Sequence, residues 1–288
     1  MSAMLKTLAI LLACLATTAF AAETRDLVLV AGQSNAVGFN AKPSELPADA
    51  ADRDILFWWR CGDPPPDARD SNSAGKWTHL QPQSLGDPTP PRPGRQFGNF
   101  AQADGGFGPE IGFARTLYKK EHKPLAIVKV AYSGTSVSSW NHADAGAGGA
   151  CYRVLVSETQ AAIAAAKAQG ITLRLRALVW VQGESDASAA GVPLYEKKLG
   201  DMIAALRKDL EAPQLIALLG LNTHFGGDKN AFVPQIVEVQ KALAKKDPHC
   251  AYVDTATATV ANAAHFDTAG TIDVGNRFAE ALIKVEGK

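Results

Sequence analysis

Three short polar clusters interrupt apolar stretches of this chain, and each follows an aliphatic run. Gly32-Gln33-Ser34-Asn35 follows Leu27–Val30, Ser133-Gly134-Thr135-Ser136 follows the run from Leu125, and Gln182-Gly183-Glu184-Ser185-Asp186 follows the run from Leu175. A fourth segment, Asn262 to Gly270, carries His265. Together these hold the parts of a serine hydrolase. A serine hydroxyl is a poor nucleophile until an imidazole takes its proton, and the imidazole needs an acceptor to hold its tautomer. The oxyanion formed on attack needs donors fixed in advance. Ser34 can offer its hydroxyl and its backbone N–H at a strand-to-helix turn. Gly134 lets a backbone N–H approach a ligand with no side chain in the way. Gln182 has an amide that can donate, and His265 is the candidate base.

Plainer readings stand beside these. A serine after a strand is most often a helix N-cap. Gly134 alone is a turn, Glu184 and Asp186 can cap the following helix, and any one of the six histidines can be structural. Ser185, in Gly183-Glu184-Ser185-Asp186-Ala187, is a rival nucleophile by pattern. The first cluster reads Gly32-Gln33-Ser34-Asn35-Ala36, so the G-x-S-x-G elbow is absent. The chemistry gains weight from where the clusters fall.

Six segments read as buried strands: Asp26–Gly32, Ile55–Trp59, Leu125–Ala131, Leu175–Gln182, Leu215–Leu221 and Ala251–Thr255. Most are continuous apolar runs, as in a sheet covered on both faces. Helical patterns cover Glu110–Glu121, Val154–Ala168, Tyr195–Leu210, Phe232–Lys245 and Thr268–Lys284. Alternation of the two predicts an α/β fold with a mostly parallel central sheet and helices on both sides. Ligands of such sheets bind beyond the carboxyl ends of the strands, where all four clusters fall. Residues 61–107 are rich in Pro, Gly, Asp and Ser and show no sustained period. A loop of that length is usually functional or disordered, and it reads as an excursion over the carboxyl edge with Trp77 to bury.

The chain has 288 residues. Residues 1–21 have the layout of a secretory signal peptide, with Lys6, an apolar Leu8–Leu15 and a small-x-small Ala19-Phe20-Ala21. Lipoprotein processing at Cys14 is the rival. Residues 22–288 then form one domain, exported to a periplasm or beyond the cell. No later stretch reaches about 18 uninterrupted apolar residues, so no membrane insertion is expected. Lys plus Arg and Asp plus Glu number 29 each, and losing Lys6 leaves 28 against 29, a charge of −1. Nothing in that balance favours nucleic acid. Cys61, Cys151 and Cys250 match no metal-ligand spacing, so neither a metal nor another cofactor is expected. In an oxidising compartment Cys61 and Cys151, both read as loop residues, form the candidate disulfide.

Gly32-Gln33-Ser34-Asn35-Ala36-Val37-Gly38, Gly108-Pro109-Glu110, Gly134-Thr135-Ser136, Trp180-Val181-Gln182-Gly183-Glu184-Ser185-Asp186 and His265-Phe266-Asp267-Thr268-Ala269-Gly270 occur in that order. Over residues 26–283 the chain resembles the carbohydrate esterase family that includes sialate O-acetylesterases and acetyl xylan esterases, within the SGNH hydrolase superfamily. The resemblance implies a three-layer, flavodoxin-like α/β/α sandwich and metal-free, serine-based removal of O-acetyl groups from an acetylated carbohydrate. It makes Ser34 the nucleophile and His265 the base. The oxyanion donors become the N–H groups of Ser34 and Gly134 and the side chain of Gln182. Glu110 would orient its loop or cap a helix.

The superfamily usually has an aspartate three residues before the histidine, where this chain has Asn262. An asparagine lacks the charge that stabilises an imidazolium, and the equivalent change in a serine protease costs about 10⁴ in rate. Glu184 is the expected substitute acid, with Asp186 and Asp267 next, although Asp267 is also placed to cap a helix. Gln33 and Asn35 are expected to hold the turn around Ser34. Trp140, Tyr132 and the Trp58-Trp59 pair either stack on sugar rings or pack in the core. Asn262 also motivates the alternative of a non-catalytic carbohydrate-binding protein on the same fold. A lipase or thioesterase is disfavoured by the absence of an amphipathic lid.

Overall fold

The computed structural model describes residues 23–65, 71–86 and 100–287. The expected signal segment and Cys14 lie outside the described residues. Among the described residues eight strands form one sheet: β1 (Glu23–Gly32), β2 (Ile55–Gly62), β3 (Ser71–Asn72), β4 (Thr78–His79), β5 (Leu125–Tyr132), β6 (Ile171–Val181), β7 (Ile216–Gly220) and β8 (Cys250–Tyr252). Their order is β3-β2-β5-β1-β6-β7-β8, with β4 also paired to β2. Every pairing among β1, β2, β5, β6, β7 and β8 is parallel, and the two short strands run antiparallel to β2.

The helices are α1 (Ser34–Val37), α2 (Glu110–Glu121), α3 (Ala150–Ala168), α4 (Val192–Asp209), α5 (Val233–Lys246) and α6 (Thr268–Glu286). They divide between the two faces of the sheet. Ile111, Phe113 and Leu117 of α2 and Val274, Phe278 and Leu282 of α6 pack on Val28 and Val30 of β1 and their neighbours. Leu155 of α3, Leu199 and Leu206 of α4 and Ile236 of α5 pack with Leu27 and Leu29 on the other face. Successive side chains of β1 thus enter opposite cores, which is why this strand carries no polar alternation. The three-layer α/β/α sandwich with a mostly parallel sheet is the architecture present.

The differences from expectation have local causes. β6 begins at Ile171 rather than Leu175, because Ile171–Leu175 alternate between half-buried and exposed and pair with the start of β1, which is exposed at its first two residues. The segment 61–107 is not wholly irregular: β3 and β4 lie within it and add to the edge of β2. Trp77 anchors this excursion, donating from Nε1 to Ala162 O at 3.0 Å and meeting the Trp58 ring edge-on at 5.7 Å. Cys61 and Cys151 do not sit in loops and do not form a disulfide. Cys61 belongs to β2 and the core on one face, whereas Cys151 lies in the first turn of α3 in the core on the other.

Candidate active site

β1 lies between β5 and β6, and the registers Gly32↔Ala131 and Gly32↔Val181 bring the three strand ends to one level. The first three polar clusters therefore emerge side by side. Gly32 has φ 139°, and a Cβ there would stand 2.1 Å from Val181 O, so the chain can turn out of the sheet only at a glycine. Ser34 then opens α1 as its first residue. The N-cap position is Gln33, whose side chain makes no capping bond, so Ser34 is not the cap of this helix. Ser34 is buried, while Gly134 at the end of β5 is exposed with φ 72° and no atom within 4 Å of where a Cβ would project. Among the described residues neither the Ser34 nor the Gly134 N–H meets a backbone acceptor. Two backbone donors thus stand unspent at the mouth of adjacent strands, the arrangement an oxyanion requires.

His265 comes to this edge from the far end of the chain, and Asn35 holds it there. Asn35 Nδ2 donates to Ala264 O at 3.0 Å, and Asn35 Oδ1 accepts from Phe266 N–H at 3.1 Å. The same Nδ2 donates to Glu184 Oε1 at 2.7 Å. The half-buried His265 ring lies 4.7 Å from the Phe39 ring, centroid to centroid. Asn35 was expected to hold its own turn; it reaches across to the histidine loop instead. Asn262 Oδ1 is committed locally, accepting from the N–H groups of Ala264 at 2.8 Å and His265 at 3.0 Å, while its Nδ2 faces Asn40 Oδ1 at 3.4 Å. It shapes the turn that carries the histidine. Asp267 caps α6, accepting from Gly270 N–H at 2.7 Å.

The third cluster is buried beneath the first. Glu184 Oε1 accepts from Asn35 and from Asn222 N–H at 2.9 Å, while Glu184 Oε2 is buried without a hydrogen bond. Burial raises the Glu184 carboxyl above its ordinary value, against the pull of the Asn222 and Asn35 donors. Gln182 is fully buried, and its Nε2 faces Asp186 Oδ2 at 2.6 Å, Thr135 O at 3.2 Å and Gln33 Oε1 at 3.4 Å. Three acceptors surround two protons, so in this arrangement Gln182 organises the loops that flank the site. Asp186 Oδ2 also accepts from Val137 N–H at 2.8 Å, and burial raises its carboxyl. Gln33 Oε1 accepts from Ser185 N–H at 3.1 Å, tying the first cluster to the third. Ser185 itself is exposed.

The aromatic platform reading is corrected for Trp140 and Tyr132. Both are fully buried. Trp140 meets Trp180 edge-on at 5.1 Å and donates to Thr135 Oγ1 at 3.2 Å, so it offers no face to a sugar. Trp58 and Trp59 are buried as well.

The sequence reading missed one group under the site. Lys129, in the middle of β5, is fully buried and donates to Glu110 Oε1 at 3.0 Å, Gln83 Oε1 at 2.6 Å and Val37 O at 2.8 Å. Glu110 Oε1 also accepts from Gly108 N–H at 2.9 Å and Gln83 Nε2 at 3.0 Å. Glu110 thus orients the loop before α2, and Lys129 joins that loop, the excursion and the end of α1. The signal was visible as a lone cation in Leu125-Ala126-Ile127-Val128-Lys129-Val130.

The family model described as carbohydrate esterase, sialic acid-specific acetylesterase, matches residues 24–284. Among solved structures, a protein of Arabidopsis thaliana superposes with a TM-score of 0.65 at 18% identity, covering 90% of this chain and 98% of its own. A structure described as a novel carbohydrate acetylesterase from Xanthomonas citri gives 0.60 at 19% identity, covering 91% of this chain and 57% of its own. NanS gives 0.56 at 18% identity, covering 92% and 98%. At such identities the three show a shared fold. No curated protein matches by sequence.

Proposed function

The chain belongs to the carbohydrate esterase family of sialic acid-specific acetylesterases and is a carboxylic ester hydrolase; from that premise we propose that it is an exported serine esterase removing O-acetyl groups from a carbohydrate such as acetylated xylan or an acetylated sialic acid. Ser34 Oγ attacks the acetyl carbonyl as His265 takes its proton. The N–H groups of Ser34 and Gly134 receive the developing oxyanion, and each such donor is worth about 10²–10³ in rate. His265 then returns the proton to the departing sugar oxygen, leaving an acetyl-Ser34 ester. Water, deprotonated by the same imidazole, attacks that ester and releases acetate with the serine hydroxyl restored. Gln182, Asp186 and Gln33 hold the flanking loops, and Glu184 acts on His265 through Asn35.

One observation carries this reading: the residue next to Ser34 holds both peptide groups that flank His265. The test is hydrolysis of p-nitrophenyl acetate and acetate release from acetylated xylan and acetylated sialic acid. Ser34→Ala and His265→Ala abolish both, while Ser185→Ala does not. Near wild-type turnover in Ser34→Ala refutes the assignment. Export is proposed from residues 1–21 alone, and N-terminal sequencing of the cell-envelope or secreted protein should then begin at Ala22.

A further inference from the structure

The backbone around His265 is fully accounted for. Its N–H donates to Asn262 Oδ1, its carbonyl accepts from Ala261 N–H at 2.9 Å, and the carbonyl before it and the N–H after it are both taken by Asn35. A carboxamide serves those two groups and Glu184 together, because its Nδ2 carries two protons and its Oδ1 accepts. Asn35 is buried, and the bond from Phe266 N–H is buried with it, so water does not replace that bond if it is lost. It is also the peptide neighbour of Ser34, which makes the distance from nucleophile to base depend on one short side chain. Glu184 Oε1 receives the Asn35 amide and is itself fixed by Asn222 N–H, which sets which end of the carboxamide points where.

We propose that Asn35 is the positioning residue for His265, clamping the peptide groups on both sides of it, and that Glu184 serves by orienting the Asn35 carboxamide rather than by pairing with the imidazole. The proposal rests on the reading of Ser34 and His265 as nucleophile and base. It requires of Glu184 an accepting oxygen, not a charge. An aspartate at position 35 keeps the acceptor for Phe266 N–H but sets an oxygen against both Ala264 O and the Glu184 carboxylate.

The experiment is kcat and KM against pH on p-nitrophenyl acetate for the full chain, with near-UV circular dichroism to verify folding. Asn35→Asp should lower kcat at least about 100-fold, the scale of an ångström of misplacement, with KM changed far less. Asn35→Asp combined with Glu184→Gln removes the like charge opposite the new carboxylate while keeping an oxygen for Asn222 N–H, and should recover about tenfold of that loss. Glu184→Gln alone should lower kcat about three- to tenfold, as one weakened hydrogen bond does, and leave the acid limb of the kcat/KM profile in place. Glu184→Ala should fall at least tenfold further, about one lost buried partner. If Asn35→Asp does not fold, the two Glu184 variants decide. The proposal is overturned by Asn35→Asp turning over like wild type, or by Glu184→Gln losing about 10³-fold or more with a displaced acid limb, the mark of a carboxylate paired with the imidazolium. Ser34→Ala in the same assay separates the two levels: its activity would end the nucleophile reading, whereas its inactivity beside an active Asn35→Asp ends only the clamp.

Discussion

At the scale of single residues, the two glycines at the strand mouths do different work. A Cβ on Gly32 would stand 2.1 Å from Val181 O, but one on Gly134 meets nothing within 4 Å. Gly134→Ala therefore carries only the cost of a left-handed backbone, about 1–2 kcal/mol. Its methyl group enters the space an ester would occupy, so kcat/KM should fall at least about tenfold, more than the folding loss explains. Urea denaturation and turnover of one preparation check this, and unaltered turnover would remove Gly134 from the site. Glu184 supplies a pH signature. Burial raises its carboxyl, so the folded chain holds that proton more tightly than the unfolded chain, whose value is near 4.3. Stability from this group is present in acid and is lost as pH climbs through the raised folded value. Glu184→Gln has no such loss. Its stability relative to wild type should rise as pH climbs from about 4.3 towards the raised folded value, as read by denaturant midpoints, and a flat or falling difference contradicts the assignment. That the loops carrying Ser34, Gly134 and His265 meet at one edge was legible in the sequence, because polar residues at the mouths of apolar strands have few other reasons to gather. The partners of Asn35 were not legible, since nothing in one chain says which of two neighbouring amides reaches a loop 229 positions away.

Among the elements, β5 shows where a pattern conceals chemistry. Its apolar run correctly indicated a central strand, yet Lys129 within it is the hub joining Gln83, Glu110 and Val37. Lys129→Met removes the cation and leaves the Glu110 carboxylate buried beside Gln83, which should cost about 3–5 kcal/mol. Lys129→Met with Glu110→Gln removes both charges and should regain most of that, with equilibrium denaturation as the readout. If the single variant matches wild type, the pair is not holding α2 and the excursion to the sheet. Helices α2 to α6 were legible to within four residues at each end, and α2 to the residue, because Pro109 marks its start, whereas the single turn of α1 was not read as a helix. β6 was read four residues short because its first half alternates, and β3 and β4 were missed because two-residue strands carry no period at all.

Across the whole molecule, the order β5-β1-β6 is what joins distant sequence into one site, and the same sheet keeps other residues apart. Alternation of apolar strands and helices was enough to infer that sheet, but not to say which face each side chain enters. That is why Cys61 and Cys151 were paired on compartment and loop composition alone. Cys61 points from β2 into one core while Cys151 lies on α3 in the other, so the sheet stands between them and their Cβ vectors cannot meet in an S–S bond. Burial pushes the Cys151 and Cys250 thiols up to about 12, so little thiolate exists at neutral pH to start an exchange. The native protein should therefore melt at the same temperature with and without reductant, and iodoacetamide should label Cys151 and Cys250 only after denaturation. Mass spectrometry of non-reduced peptides reads the outcome directly. α3 already meets β2 through Trp58 and Arg60, which both reach Glu158, so a Cys61–Cys151 cross-link in that digest would require the Cys61 side chain to enter the face that α3 covers, and the register of β2 against β5 would fall with it.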